Sequence, residues 1–326
     1  MHNFFKELEA TMNKILQSFI LTLTSSAACA APLNVVVTQP PGGVNDISAR
    51  IWAECVASEL HRPIVVLNKP GANGVLAVNY IKSLPADGTN ILAIGMSPMA
   101  IVPQLYEKPP YEPQKDFAGI ALMGSSTMVL VVPKSLGVAN LSELARKANS
   151  ANDGLNLGSP GNGTPAHLLG VATMDTVKAK AAHIPYIGEA ALVTALRGGQ
   201  LDVAILTVGA AAAQSKGGKI IPLAVYSTER SALLPDVPTI EQAGGPAELV
   251  RRPWMAVVAK IGTPTNVIID INKATNSCAQ KPEYKRRFSE LDFQTQISSP
   301  LDVDSLTNKD TKYWGGVVKK FNIRSE

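Results

Sequence analysis

The most constraining feature of this chain is a short apolar strand that runs into Pro40-Pro41-Gly42-Gly43 and is followed at once by a helix. Residues 33–38, Leu-Asn-Val-Val-Val-Thr, are β-branched and few, as a buried strand requires. The two prolines stop the strand, the two glycines permit a tight turn, and Asn45 or Asp46 can cap the helix. Beyond the turn, Ala49, Ala53 and Ala57 favour helix, and Ile47, Ile51 and Cys55 fall four apart on one face. Such a junction gathers unpaired backbone N–H groups at a helix N-terminus, beside the carboxyl end of a strand. It attracts an anion without any cationic side chain. A single copy would also suit an ordinary tight βα connection.

The pattern returns in the second half of the chain. Leu155-Asn156-Leu157 reads as a strand, and Gly158-Ser159-Pro160-Gly161-Asn162-Gly163-Thr164 as its turn. Thr164 is placed as N-cap with Pro165 at the first helical position, and Leu168, Leu169 and Met174 begin a buried face. Neither turn fits Gly-x-Gly-x-x-Gly or Gly-x-x-x-x-Gly-Lys-Ser/Thr, which disfavours nucleotide binding. Around both turns, strands near 63–67, 91–95, 120–123, 128–132, 201–206 and 220–226 alternate with helical stretches. That alternation predicts mainly parallel sheets covered by helices on both faces. Residues 103–113 read as a proline-rich surface connection and 138–148 as a helix. Residues 254–259 read as a strand returning to the first lobe, and 264–280 and 301–320 as helices, with 283–290 a charged, solvated piece between them.

The net charge of +4 is mild and evenly spread, so no nucleic-acid footprint shows. At the N-terminus, Met12-Asn13-Lys14 leads into an apolar run over 15–24, then small residues ending in Ala28-Cys29-Ala30. This is the order of a secretory signal, with Met12 the better start and cleavage after Ala30; it is too short for a membrane anchor. A lipoprotein reading through Cys29 is weakened by Ser26 at the expected Leu position. Cleavage leaves Cys55 and Cys278, which an oxidising compartment allows to pair, although Cys55 also reads simply as a small buried hydrophobe.

Taken together these motifs resemble the extracytoplasmic solute receptors of tripartite tricarboxylate transporters, the Bug family. The carriers are Pro40-Pro41-Gly42-Gly43 with Asp46 and Ala49-Arg50, Asn68-Lys69-Pro70-Gly71-Ala72 with Gly74, and Pro85-Ala86-Asp87-Gly88. Further along come Gly161-Asn162-Gly163-Thr164 with His167-Leu168, His183-Ile184-Pro185-Tyr186 and Gly198-Gly199-Gln200. Leu234-Pro235-Asp236-Val237-Pro238-Thr239 and Gly262-Thr263-Pro264 complete the set, which spans essentially the whole mature chain. The resemblance implies an α/β fold of the type II periplasmic-binding-protein kind: two lobes, each with a mainly parallel central sheet flanked by helices, and a ligand cleft between them. Lobe 1 is expected to take residues 31–128 and 253–326, and lobe 2 residues 129–252. It also implies a periplasmic, monomeric receptor with no cofactor, no metal and no nucleic-acid partner. Such a receptor binds a small carboxylate and hands it to the transporter's membrane subunits. Val44-Asn45-Asp46 and Leu206-Thr207-Val208 depart from the family pattern where ligand choice is set, so the acid itself is not carried over.

The expected ligand-binding residues are Gly43, Val44, Asn45, Asp46, Ser97, Ser159, Asn162, Gly163, Thr164, His167, Tyr186 and Thr207. Asp46 has an alternative role as a helix cap paired with Arg50, His167 as a packed histidine, and Tyr186 as a seal on the second lobe. Ser97 follows a strand at its carboxyl end, where open α/β sheets put ligands. Two other classes remain open. A hydrolase built on Ser159 and His167 lacks the Gly-x-Ser-x-Gly turn, and neither His-Glu-x-x-His nor Cys-x-x-Cys occurs. A ligand-sensing regulator would need a helix-turn-helix, and none is evident.

Overall fold

The computed structural model describes residues 31–152 and 154–324, so the expected signal segment, residues 1–30, lies outside the described residues. β1 (Leu33–Val37) turns into α1 (Val44–Leu60), β2 (Ile64–Asn68) into α2 (Val75–Ser83), and β3 (Asn90–Gly95) leads through short helical turns to α3 (Pro113–Asp116). β4 (Phe117–Ser126) is separated by Thr127 alone from β5 (Met128–Pro133). Then come α4 (Leu141–Ser150), β6 (Leu155–Ser159), α5 (Pro165–Thr176), β7 (Ala181–Pro185) and α6 (Glu189–Arg197). β8 (Val203–Thr207), α7 (Val208–Ser215) and β9 (Ile220–Val225) close this series. The chain ends with β10 (Trp254–Lys260), α8 (Thr265–Gln280), α9 (Pro282–Ser289), β11 (Phe293–Gln294) and α10 (Pro300–Lys320).

The strands form a six-stranded sheet, β11-β4-β10-β3-β1-β2, and a five-stranded sheet, β7-β6-β8-β5-β9. β1 is parallel to β2 and β3, and β6 to β7 and β8. Running against their neighbours are β10 and β5, the strands that have just crossed from the other sheet, and the two-residue edge strand β11 runs against β4. Their registers show why. The first residues of β10 sit opposite the last of β4 and β3 (Trp254↔Ser125, Met255↔Gly95), and β5 begins opposite the end of β8 (Met128↔Thr207). A strand entering at the seam must therefore run away from it. The carboxyl ends of β3 and β4 in one sheet, and of β8 and β9 in the other, meet at that seam, where open α/β folds place ligands.

One apolar core passes through both sheets, joining Leu92, Leu130, Leu168, Ile205 and Trp314. Separate cores back each sheet, around Val35, Trp52 and Phe288 in the larger and Val129, Leu192 and Leu206 in the smaller. Each such fully buried side chain contributes roughly 1.5–3 kcal/mol by leaving water.

Several expectations need correction. The buried face of α1 runs through Ser48, Ala49, Ile51, Trp52 and Val56, while Ile47 is 37% exposed. Its anchor is Trp52, whose Nε1 donates to Thr275 Oγ1 of α8 at 3.0 Å. The charged piece at 283–290 is helical, because Tyr284 and Phe288, four apart, both point into the core beneath the charges. The helix expected from residue 138 starts at Leu141, where Asn140 accepts the Glu143 N–H as its cap. In the proline-rich connection Tyr111 is buried, its hydroxyl donating to Pro98 O. Cys55 is not a lone hydrophobe: it forms a disulfide with Cys278, tying α1 to α8 across a sequence separation of 223.

Candidate functional site

The first glycine turn is locked by a carboxylate from the helix it precedes. Gly42 takes a left-handed φ of 84°, and Gly43 is the N-cap in extended conformation. Asp46, 2% exposed, accepts the Gly42 N–H at 2.9 Å, the Asn68 amide at 2.8 Å and the Arg50 guanidinium at 3.0–3.1 Å. Burial opposes its charge, but Arg50, the Gly42 N–H and Asn68 outweigh that and hold the carboxyl below its ordinary value. Asn68 also donates to Gln39 O, so β2 clamps the turn leaving β1. Among the described residues, no acceptor meets the N–H groups of Gly43, Val44, Asn45 or Asp46. The first turn of α1 thus keeps its donors unspent. Asn45 extends toward the end of β3, its Nδ2 lying 3.8 Å from where a Cβ on Gly95 would stand.

The second turn spends most of its donors on itself. Gly163 N–H donates to His167 Nδ1 at 3.2 Å, and Gly161 N–H to Ser159 Oγ at 3.3 Å. Thr164 Oγ1 donates to Gly161 O and accepts the His167 N–H, completing the expected N-cap. His167 stacks on His183 with ring centroids 3.5 Å apart. Burial pushes His167 down to about 3, with His183 adding to the effect, and burial alone pushes His183 down to about 4. Both imidazoles are therefore neutral at ordinary pH.

Ser159 Oγ and His183 Nε2 share a hydrogen bond of 2.7 Å. This juxtaposition, which sequence reading missed by pairing Ser159 with His167, has the outline of a nucleophile and base. Its details differ from one. Ser159 Oγ also lies 2.9 Å from Gly161 O, a second acceptor for its single proton, and Ser159 is 0% exposed. The pair shapes the turn.

The two halves touch through this second turn. Ser97 Oγ, just past β3, donates to Gly163 O at 2.9 Å, and Asn73 Nδ2 donates to Asn162 O at 3.1 Å. Asn162 Nδ2 donates to Arg324 O, and Lys320 pairs with Asp175 at 2.5 Å. Gly163 must be glycine: its φ is 69°, and an added Cβ would stand 2.4 Å from Leu105 Cδ1 of the first half. Tyr186, half-buried beside the second core, is held by its N–H to Ser159 O. Thr207 caps α7, and both its N–H and its hydroxyl donate to Glu189. The structure thus brings Ser97, Asn162 and Gly163 together across the seam and groups Ser159, Thr164 and His167 beneath them. Thr207 lies at the end of β8 with Glu189, which no sequence signal singled out.

Among the described residues no group of three or more His, Cys, Asp or Glu is placed to hold a metal, and no helix is long and apolar enough to cross a membrane. Two α/β sheets joined by two crossings, with the second glycine turn bonded to Ser97 and Asn73 of the first half, define a two-lobed solute-binding protein. The family model described as "Tripartite tricarboxylate transporter family receptor" matches residues 48–323, and the chain belongs to that family. Protein BugT of Bordetella pertussis is 30% identical over 292 residues, covering 89% of this chain and 89% of BugT. Among solved structures, R. palustris Rpa4515 with adipate is 25% identical with a TM-score of 0.81, over 90% of this chain and 99% of that one. Periplasmic binding protein BugD is 27% identical with a TM-score of 0.77, over 90% and 99%. MatC (Rpa3494) from Rhodopseudomonas palustris with bound malate is 26% identical with a TM-score of 0.77, over 89% and 99%.

Proposed function

We infer that this receptor captures a small carboxylate between its lobes and presents it to the membrane subunits of a tripartite tricarboxylate transporter. The observation that carries this reading is the row of unspent N–H groups from Gly43 to Asp46, at a helix N-terminus beside the seam. The adipate and malate in the neighbouring structures support a dicarboxylate. On this reading the ligand's charge meets backbone donors of the first turn, with Asn45 and Tyr186 supplying side-chain contacts. Ser97, Asn162 and Gly163 join the lobes around it. Asp46, Ser159, Thr164, His167 and Thr207 shape the turns and offer at most main-chain contacts.

Lobe 1 comprises residues 31–128 and 253–326, lobe 2 residues 129–252, and the protein acts as a monomer that binds without turnover. Residues 1–30 direct export to the periplasm, a compartment in which the Cys55–Cys278 disulfide is stable. Titration calorimetry with adipate, malate, citrate and butyrate tests the reading, with the recovered ligand checked by NMR. Saturable binding of a dicarboxylate returned unchanged is expected. Failure of all four to bind, or conversion of any, would overturn it.

A further inference from the structure

Along the sequence the cations of this chain look evenly spread; the fold gathers them. β5 begins at the seam and ends at Pro133, opposite Ile220, the first residue of β9. β6 and β7 begin side by side at Leu155 and Ala181. The end of β5 and the starts of β6, β7, β8 and β9 therefore form the pole of the smaller sheet remote from the seam. Lys134 follows β5, and its N–H donates to Lys219 O at 2.8 Å; Lys216, just before, is the C-cap of α7. Lys180 precedes β7, and its carbonyl accepts the Leu155 N–H at 3.0 Å. The Lys178 carbonyl accepts the Asn149 amide of α4 at 2.8 Å, which brings Lys147, in the last turn of that helix, to the same place.

All six lysines are exposed, and none enters an ion pair among the described residues. The segments at this pole, residues 134–154, 175–181, 197–202 and 214–220, hold eight Lys and Arg against four Asp and Glu. That excess equals the net charge of the whole chain, +4, so the rest of the molecule is balanced and the pole carries the surplus. The described carboxylates of these segments are turned to other groups. Glu143 accepts the Ala139 N–H, Asp202 accepts the Asn156 N–H, and Asp175 pairs with Lys320. A field of one sign then reaches into solvent over a Debye length, about 8 Å at physiological salt. The exposed large apolar side chains, Ile187, Leu233 and Leu301 among them, all fall outside these segments.

We propose that this pole is a docking surface for an anionic lipid bilayer, holding the receptor reversibly at the membrane in which its transporter sits. Charge alone would also suit an acidic protein. A protein interface, however, is built around a buried apolar or aromatic centre and is poor in lysine. This surface is rich in lysine and has no such centre. A layer of anionic headgroups requires neither a centre nor a fixed geometry, because it attracts each flexible ammonium group on its own. With nothing apolar to insert, attachment is electrostatic, shallow and reversed by salt. Contact at this pole leaves the seam, at the other end of the strands, clear of the headgroups. It also reduces the search for the membrane subunits from three dimensions to two.

Co-sedimentation of protein recovered from the periplasm with lipid vesicles tests this, with circular dichroism confirming the fold of each variant. Vesicles of equal phosphatidylglycerol and phosphatidylcholine should retain the wild type at about 20 mM salt and release it at about 500 mM. Vesicles of phosphatidylcholine alone should retain none. Lys178→Glu, Lys180→Glu, Lys216→Glu and Lys219→Glu combined should lower retention at least about tenfold, and the four corresponding Gln changes by less. Lys108, Lys273, Lys285 and Lys312, exposed on lobe 1, supply the control. Reversing them to Glu changes the net charge equally and should cost at most about twofold. No retention on the anionic vesicles, or an equal loss in the two Glu sets, would overturn the proposal. So would retention only by membranes that carry the transporter subunits, which would assign the pole to an acidic protein. No carboxylate ligand enters this experiment, so its failure leaves the carboxylate reading intact, and the reverse also holds.

Discussion

The two glycine turns look alike in sequence and differ in how they use their N–H groups. In the first, Asp46 turns its carboxylate back onto the Gly42 N–H, one position before the donor row, and the N–H groups of Gly43 to Asp46 stay unspent. In the second, His167 and Ser159 accept the Gly163 and Gly161 N–H groups, and the carbonyls of Asn162 and Gly163 receive donors from the opposite lobe. One turn keeps its donors free; the other is bonded to the opposite half. On the proposed reading, similar punctuation builds a recognition element on one side of the seam and a contact between the halves on the other.

Gly163→Pro should break the contact between the halves outright. Proline cannot adopt the φ of 69°, removes the donor to His167 and collides with Leu105. A stability loss of about 3 kcal/mol or more is expected in chemical denaturation, with adipate binding reduced at least a hundredfold. Val44→Pro is the opposite test. Val44 is the first residue of α1, its N–H is unspent, and Gly43 before it has the extended backbone that precedes proline readily (φ −75°, ψ 161°). Stability should hold while affinity falls by the value of a charged hydrogen bond, about 1.5–3 kcal/mol, or roughly ten- to a hundredfold. Unchanged affinity in this variant would place the anion elsewhere.

Thr164→Ala should cost about 1 kcal/mol of stability through the lost cap, read from denaturant midpoints. Acid should separate the turns by mechanism. His167 and His183 are held below their ordinary 6.5, so their contribution is complete above that pH and is lost as pH falls toward about 4 and then 3. Asp46 is held below 3.8, so its contribution persists until pH drops beneath that value. Hydrogen exchange at pH 4.5 should show residues 158–164 loosened and 39–46 still protected at Gly42. The smallest effect is expected from salt: with no exposed ion pair holding the ligand, affinity should change less than about threefold between 50 and 500 mM. A steep fall would reveal a side-chain cation as the anchor.

Much of this molecule is legible from local rules. Short β-branched runs ended by Pro and Gly are strands wherever they occur, because a chain that must stop abruptly needs residues lacking a donor or a Cβ. The Thr164 cap, the Asp46–Arg50 pair and the returning strand at 254 come from the same near-neighbour chemistry. Legibility fails where a partner is distant in the chain. Charge at 283–290 reads as solvated until Tyr284 and Phe288 find the core beneath it. Ser159 and His183 lie on adjacent strands with Gly158 opposite Ile184, a pairing that only sheet register creates.

The sequence by itself determined the alternating strand and helix order, the two turns and the family to which they belong, since each depends on residues a few positions apart. Tertiary structure decided which donors remain free, that Cys55 meets Cys278, and that Ser97 reaches Gly163. Those outcomes depend on distances closed by packing two sheets together, and hydrogen bonds and charges act only over the few ångströms that packing leaves.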